Sequence, residues 1–139
     1  MNWLTWSLLS ALFAGLTAIL AKVGVSGVDS NLATAIRTTV VLVFAWSVAW
    51  FTVRPGALAA VAPRTWFFLT VSGIATGLSW LCYFRALQLG DASRVAPIDK
   101  LSVVFVLVLA ALFLGEALTW KTLLGGGLIA AGAVILALK

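Results

Sequence analysis

Five charged side chains lie inside or at the ends of long apolar runs, and these residues are the ones able to do chemistry. Lys22, Arg37 and Lys100 are basic, whereas Asp99 and Glu116 carry carboxylates. A charge at the centre of a bilayer costs about 2.5–3.5 kcal/mol on insertion scales, so it calls for a partner, water or a function. Basic groups bind anions and a carboxylate can carry a proton, which favours the handling of small charged solutes.

The apolar runs that hold these charges are long enough to cross a membrane. Of the 139 residues, 63% are hydrophobic and 9% are charged, and the mean hydropathy is +1.17. A helix needs roughly 20 apolar residues to span the hydrocarbon core. We therefore predict an all-α polytopic membrane protein whose single domain, residues 1–139, has five transmembrane helices. They are expected at residues 3–23, 32–53, 66–89, 95–114 and 120–138.

Composition argues against several other classes of protein. A β-barrel is not expected, because the apolar runs are continuous rather than alternating. With one cysteine, Cys82, and no histidine, we expect neither a disulfide nor a zinc site. No phosphate-binding loop or catalytic constellation is visible, so we predict that the protein binds no cofactor and is not an enzyme. The net charge of +5 is spread over loops and helix ends, so nucleic acid is not an expected partner.

Basic residues near the ends of the spans are almost equally divided between the two sides of the membrane. An odd number of spans puts the termini on opposite sides. The N-terminal side carries Arg54, Arg64 and Lys121, and the other side carries Lys22, Arg85, Arg94 and Lys139. The lysine/arginine bias that orients membrane proteins nearly vanishes. Insertion in both orientations and selection of one orientation by the weak bias both stay open.

The tryptophans cluster toward the N-terminal side, and Trp80 alone lies toward the other. The clustered residues are Trp3, Trp6, Trp50, Trp66 and Trp120. Aromatic belts normally occupy both interfaces, so an antiparallel pair of chains would restore the belt on both. Chance clustering is the alternative.

Arg37 and Lys22 each have a structural and a functional interpretation. Arg37 lies roughly 10 Å of helical rise beyond Asn31, so it either snorkels as an anchor or lines a polar pathway and binds an anion. Lys22 shares a helix face with small residues, so it either snorkels to the interface from a packing seam or lies where a ligand can come close. Trp80 and Tyr83 in the third span either contact substrate or pack as aromatic residues.

The position of Asp99 depends on where the fourth helix starts. If Pro97 is the first helical residue, Asp99 stabilises the positive end of the helix. If the helix starts at Asp91 or Ser93, Asp99 lies deeper and is the candidate proton carrier. Lys100 points about 100° away from Asp99 on a regular helix, so we expect it to pair with a carboxylate of another span or chain.

Glycines and one carboxylate are predicted to have structural roles. Gly73 and Gly77 form G-x-x-x-G, a pattern typical of close helix packing. Gly115 and Glu116 end the fourth span. Glu116 is expected to accept hydrogen bonds from turn amides or to pair with Lys121, because a carboxylate at a helix C-terminus is otherwise unfavourable.

Several short motifs together resemble one family. They are Lys22 in A-K-V-G, Arg37 in A-I-R-T, residues 86–97 with Pro97, Gly115 and Glu116 in F-L-G-E, and glycines of the last span. In this order they make the chain similar to an EamA-type unit of the drug/metabolite transporter superfamily, in its five-span bacterial and archaeal branch. Asp99 and Lys100 depart from the family pattern, which commonly has neutral residues there and a further proline near Val103.

The resemblance implies a fold, a location and an activity. Larger relatives join two units of opposite orientation into ten helices, so one unit implies an antiparallel homodimer. The implied activity is secondary transport by alternating access across the cytoplasmic membrane of a prokaryote, with lipids and a small-molecule substrate as partners. The excess of Lys22, Arg37 and Lys100 over Asp99 favours an anionic or zwitterionic metabolite, moved with or without a proton. A flippase for a lipid-linked intermediate and a non-transporting accessory subunit are the alternatives.

Overall fold

The computed structural model describes residues 2–138 and is all-helical there, which confirms the predicted class. Five helices are long and apolar enough to cross a membrane, when residues Ala92–Leu114 count as one span. The elements are α1 (Trp3–Gly24), α2 (Ser30–Thr52), a 3₁₀ turn (Ala57–Ala60), α3 (Pro63–Leu89), α4 (Ala92–Asp99), α5 (Ser102–Leu109), a π-helical segment (Ala110–Leu114) and α6 (Trp120–Ala137).

Side-chain caps mark where two helices, α2 and α6, begin. The Asp29 carboxylate accepts hydrogen bonds from the backbone N–H groups of Asn31 and Leu32, at 2.9 and 3.2 Å. This N-cap starts α2 at Ser30, two residues before the predicted span. The Thr119 hydroxyl accepts from the N–H of Thr122 at 3.2 Å and caps α6 in the same way.

The fourth span begins earlier than Pro97, so the alternative in which Pro97 is its first residue is wrong. The N–H groups of Arg94 and Val95 both donate to the carbonyl of Asp91 at 3.0 Å, which starts α4 at Ala92. Pro97 then lies inside α4 and, having no N–H, leaves the Ser93 carbonyl without its usual donor. Asp99 becomes the last residue of α4, about 10 Å of rise beyond Ala92.

The fourth span is composite rather than one regular α-helix. Beyond Asp99 the backbone tightens into i→i+3 bonds, with Lys100 donating to Pro97, Leu101 to Ile98 and Val103 to Lys100, each at 3.0 Å. Regular helix resumes in α5 and widens in the π-helical segment. Gly115 closes the span at φ +68°, a left-handed conformation that suits glycine because it has no Cβ.

The chain divides into two compact units. The first combines Met1–Leu20 with Leu89–Lys139, and the second is Ala21–Gln88. In the first unit, α4 and α5 pack against α6. Gly126 makes this packing close, because a Cβ there would lie 2.7 Å from the Cδ1 atom of Leu107.

In the second unit the buried side chains gather at one end. They belong to the end of α1, the start of α2 and the end of α3, and are Ala21, Val25, Ser30, Thr34, Phe84 and Leu87. Toward their other ends α2 and α3 expose large apolar side chains, such as Phe51 and Phe67. Exposed apolar surface of this extent fits a lipid environment.

Candidate functional site

The second unit places the guanidinium of Arg37 over two aromatic rings of α3. Its central carbon lies 4.2 Å from the centroid of the Trp80 ring and 5.5 Å from that of Phe84. Trp80 and Phe84 are four residues apart and therefore share a helix face. Phe84 is buried, whereas Arg37 and Trp80 are half-buried. The arrangement is a cation–π stack, which attracts the guanidinium to the negative face of the rings.

The charge of Arg37 has no carboxylate partner among residues 2–138. The ion pairs within that range join Arg94 to Asp91 and Lys100 to Asp99. Arg37 also donates no hydrogen bond to another residue in the described part of the chain, although the phenol of Tyr83 interacts with it electrostatically. The rings lie close to the central carbon of the guanidinium but offer its N–H groups no carboxylate oxygen. Those groups have the fork geometry that binds carboxylate or phosphate bidentately.

Lys22 lies at the carboxyl end of α3. Its ammonium donates to the backbone carbonyl of Leu87 at 2.6 Å. The last four carbonyls of a helix lack intrahelical donors, and a cation there also interacts favourably with the helix dipole. This contact supports a structural role for Lys22 alongside the predicted pathway role.

Asp99 and Lys100 contact each other, which corrects the expectation that they would not pair. The Lys100 ammonium lies 3.5 Å from the Asp99 carboxylate. Neighbours in the i→i+3 turn that follows α4 still diverge by about 120°, so the contact arises because the long lysine side chain folds back. The pair belongs to the first unit, whereas Lys22, Arg37, Trp80 and Tyr83 belong to the second.

The predicted structural motifs have different outcomes. The close-packing role of Gly73 and Gly77 stays a prediction: no atom of another helix among the described residues lies within 4 Å of a Cβ built at either glycine. The N–H of Glu116 donates to the carbonyl of Ala110 at 3.3 Å as part of the turn at Gly115. Its carboxylate forms no ion pair with Lys121 within residues 2–138, so that alternative is wrong.

Sequence reasoning did not select Phe84, Leu87 or Gln88 as site residues. Phe84 could have been found from its i+4 spacing to Trp80. The backbone carbonyl of Leu87 carries no sequence signal, because every helix end has such groups. Nothing in the sequence says that the side-chain amide of Gln88 reaches the carbonyl of Val28. Between residues 2 and 138 no cluster of three metal-ligating side chains occurs.

Two recesses occur on the surface of α2, and neither encloses a ligand. Each is lined by residues of α2 alone, including Val43 and Ser47, which both recesses share. A single helix cannot surround a solute, so these recesses are grooves that acyl chains or another helix can fill. The Arg37 stack is therefore the site with the more specific chemistry.

Comparisons with known proteins find a family and relatives that cover most of the chain. The EamA-like transporter family matches residues 1–138. A protein of Sinorhizobium sp., described as an uncharacterized transporter in the cobO 3′ region, is 53% identical over 136 residues, which are 98% of this chain and 96% of that protein. The uncharacterized transporter YvbV of Bacillus subtilis (strain 168) is 32% identical over 109 residues, 78% of this chain and 35% of its own length. No solved structure matches.

Proposed function

Because the chain belongs to the EamA-like transporter family of the drug/metabolite transporter superfamily, we propose that it moves a small anionic or zwitterionic metabolite by alternating access. The membrane is proposed to be the cytoplasmic membrane of a prokaryote, since both relatives named above are bacterial. One observation carries the choice of substrate class: Arg37 is stacked on Trp80 with its N–H donors unused by residues 2–138.

Arg37 is half-buried, and its unpaired guanidinium lies in a membrane span. A charge there is costly unless a partner or water meets its N–H groups. Water can meet this requirement while the site is empty. An anion meets it better, because two parallel charge-assisted hydrogen bonds add specific geometry to the attraction. A cationic substrate would instead be repelled by Arg37.

Uptake into proteoliposomes tests the proposal. We would compare the parent with Arg37→Gln, using phosphate, small carboxylates and zwitterionic amino acids as probes and tetraethylammonium as a cationic control. Arg64→Gln is the matched control, because Arg64 also lies over a ring, that of Phe68 at 5.8 Å, but at the start of α3.

Arg37→Gln is expected to reduce anion or zwitterion uptake by about a hundredfold, as the loss of two charge-assisted hydrogen bonds would produce. Arg64→Gln is expected to stay within about twofold of the parent, because surface charges contribute little. Equal uptake by the two variants, or transport of tetraethylammonium alone, would sink the proposal.

The second part of the proposal is an antiparallel homodimer. It is supported by the near-balance of basic residues and by the inverted-repeat design of secondary transporters. A reporter fused after residue 139 tests it; Lys139 itself lies outside the described residues. Reporter activity on both sides of the membrane is expected, and a strictly one-sided signal would exclude dual insertion.

The third part assigns coupling to Asp99. Its support is the start of α4 at Ala92, which puts the carboxylate two turns into the span. Asp99→Asn should abolish uptake driven by a proton gradient while exchange of substrate at equal pH continues. Gradient-driven uptake by Asp99→Asn at the rate of the parent would remove Asp99 from the coupling step.

A further inference from the structure

We infer that Lys22 and Gln88 form a latch that closes one end of the second unit beside the Arg37 stack. In this role Lys22 positions helices instead of binding substrate. The existence of the latch follows from the contacts of the second unit alone. Its part in a transport cycle rests on the proposed function.

Two hydrogen bonds define the latch. The first joins the ammonium of Lys22, near the end of α1, to the carbonyl of Leu87 in the last turn of α3. The second joins the amide of Gln88 to the carbonyl of Val28, in the turn between α1 and α2, at 2.5 Å. Together they tie the α1–α2 turn to the end of α3.

A further contact holds the donor of the second bond in place. The guanidinium of Arg85 donates to the side-chain oxygen of Gln88 at 3.0 Å, which leaves the amide N–H₂ group of Gln88 directed at Val28. Because hydrogen bonds to charged groups are stronger than neutral ones, the Lys22 bond is the stronger half of the latch. Removing the ammonium should therefore weaken this end most.

Burial differs sharply between the two ends of the second unit. At the latched end Val25 is 2% exposed and Leu87 is fully buried, whereas Trp50 at the other end of α2 is 84% exposed. Among the described residues, the second unit is therefore tightly packed at the latched end, whereas the rest of α2 and α3 exposes the apolar side chains that fit a lipid environment.

The Arg37 stack lies one helical turn inside the latched end. Arg37 is three residues beyond the buried Thr34, and Phe84 is three residues before Leu87, so each contact of the stack is next to a residue of the closed end. A solute bound at Arg37 that leaves toward this membrane face must pass the latch. Breaking the Lys22 and Gln88 bonds would open that route, and reforming them would close it.

Thiol accessibility tests the latch without any substrate. Cys82, the exposed native thiol, is first replaced by alanine, and Thr34→Cys then puts a reporter thiol at the closed end. This change is mild, because the Thr34 hydroxyl bonds only locally, to the carbonyl of Ser30. The labelling rate with a membrane-impermeant methanethiosulfonate reagent is measured in proteoliposomes, for this background and for Lys22→Met, Lys22→Arg and Gln88→Leu added to it.

The background protein should be labelled slowly, and Lys22→Met should raise the rate at least about tenfold, as the loss of a charge-assisted hydrogen bond would produce. Lys22→Arg should stay within about threefold of the background, because a guanidinium can still donate to Leu87. Gln88→Leu should give a smaller increase than Lys22→Met. If Lys22→Met is not monodisperse in detergent, the labelling rate of Gln88→Leu is the measurement that decides.

Three results would overturn the latch. The first is fast labelling of the background protein. The second is a labelling rate that rises in neither Lys22→Met nor Gln88→Leu. The third is a loss of uptake in Lys22→Met while its labelling rate stays that of the background. The last would make Lys22 a substrate ligand. Since labelling needs no substrate, failure of the Arg37 uptake experiment would sink the proposed function and leave this result standing.

Discussion

Two regions of the molecule keep charges inside a membrane span, and they do so in opposite ways. Arg37 lies in the uninterrupted helix α2 and is held by the rings of Trp80 and Phe84, with no carboxylate partner in the described chain. Asp99 and Lys100 lie where the fourth span is interrupted, and each is the other's partner at 3.5 Å. The region around Arg37 therefore carries a net positive charge that an anion can neutralise, whereas the charges of Asp99 and Lys100 neutralise each other.

The difference shows how the partner of a charge decides whether that charge is available. Lys100 follows Asp99 directly in the chain, and its long side chain folds back far enough to neutralise the carboxylate at 3.5 Å. At Arg37 the helix is regular, and its aromatic partners on α3 stabilise the cation without cancelling its charge.

The largest expected effect comes from breaking the neutral pair. Lys100→Gln leaves Asp99 as a lone carboxylate in the span, and we expect it to lower the free energy of unfolding by about 2 kcal/mol. The double variant Asp99→Asn with Lys100→Gln should regain most of this loss, because no charge is left uncompensated. Titration with SDS, followed by circular dichroism, measures both.

Arg94→Gln is the matched control for the pair. Its partner Asp91 precedes α4 at the end of the span, at 3.8 Å, and its loss should cost less than about 1 kcal/mol. If the single and double variants at 99 and 100 are equally destabilised, Asp99 and Lys100 do not neutralise each other.

The next largest effect is expected when the ring beneath Arg37 is removed. Trp80→Leu should weaken anion binding by about tenfold, since a desolvated cation–π contact contributes up to about 2 kcal/mol. Trp80→Phe should retain most of the affinity. The dissociation constant of a transported anion, measured by scintillation proximity, tests this, with Phe68→Leu beneath Arg64 as control. Unchanged affinity in Trp80→Leu would show that the stack does not shape the site.

The smallest effect concerns the packing that supports the broken span. A Cβ at Gly126 would meet Leu107 of α5 at 2.7 Å, so Gly126→Ala should destabilise the protein by about 1 kcal/mol. Gly125→Ala should be neutral or stabilising, since nothing lies within 4 Å there and alanine favours helix. The same SDS titration compares them, and equal stability would mean that Leu107 moves aside freely.

Local features of the fold could be predicted from sequence, because their causes lie within a few residues. Gly115 was expected to end the fourth span, and it does so in a left-handed conformation. The start of that span could not be chosen, because Asp91, Ser93 and Pro97 all carry helix-start signals. The backbone bonds to Asp91 decide it, and they exist only in the folded chain.

Contacts between spans could not be predicted from the sequence. Arg37 and Trp80 were both candidates, but nothing in the chain states that α2 and α3 bring them together. The glycines show the same limit: the G-x-x-x-G pattern favoured Gly73 and Gly77, and nothing in the sequence distinguished Gly126, which lies against Leu107 of α5, from the glycines beside it. Residue type predicts that a close approach is possible, and only the fold determines where it occurs.

The most direct test of the central claim observes the N–H groups of Arg37 themselves. With ¹⁵N-labelled arginine in lipid nanodiscs, the Arg37 Nε–H resonance is assigned as the signal that Arg37→Lys removes. We predict that a transported anion shifts this resonance saturably, at the concentrations that support uptake, while Arg54, Arg64, Arg85 and Arg94 stay unchanged. An Arg37 resonance that does not respond to any transported anion would contradict the account.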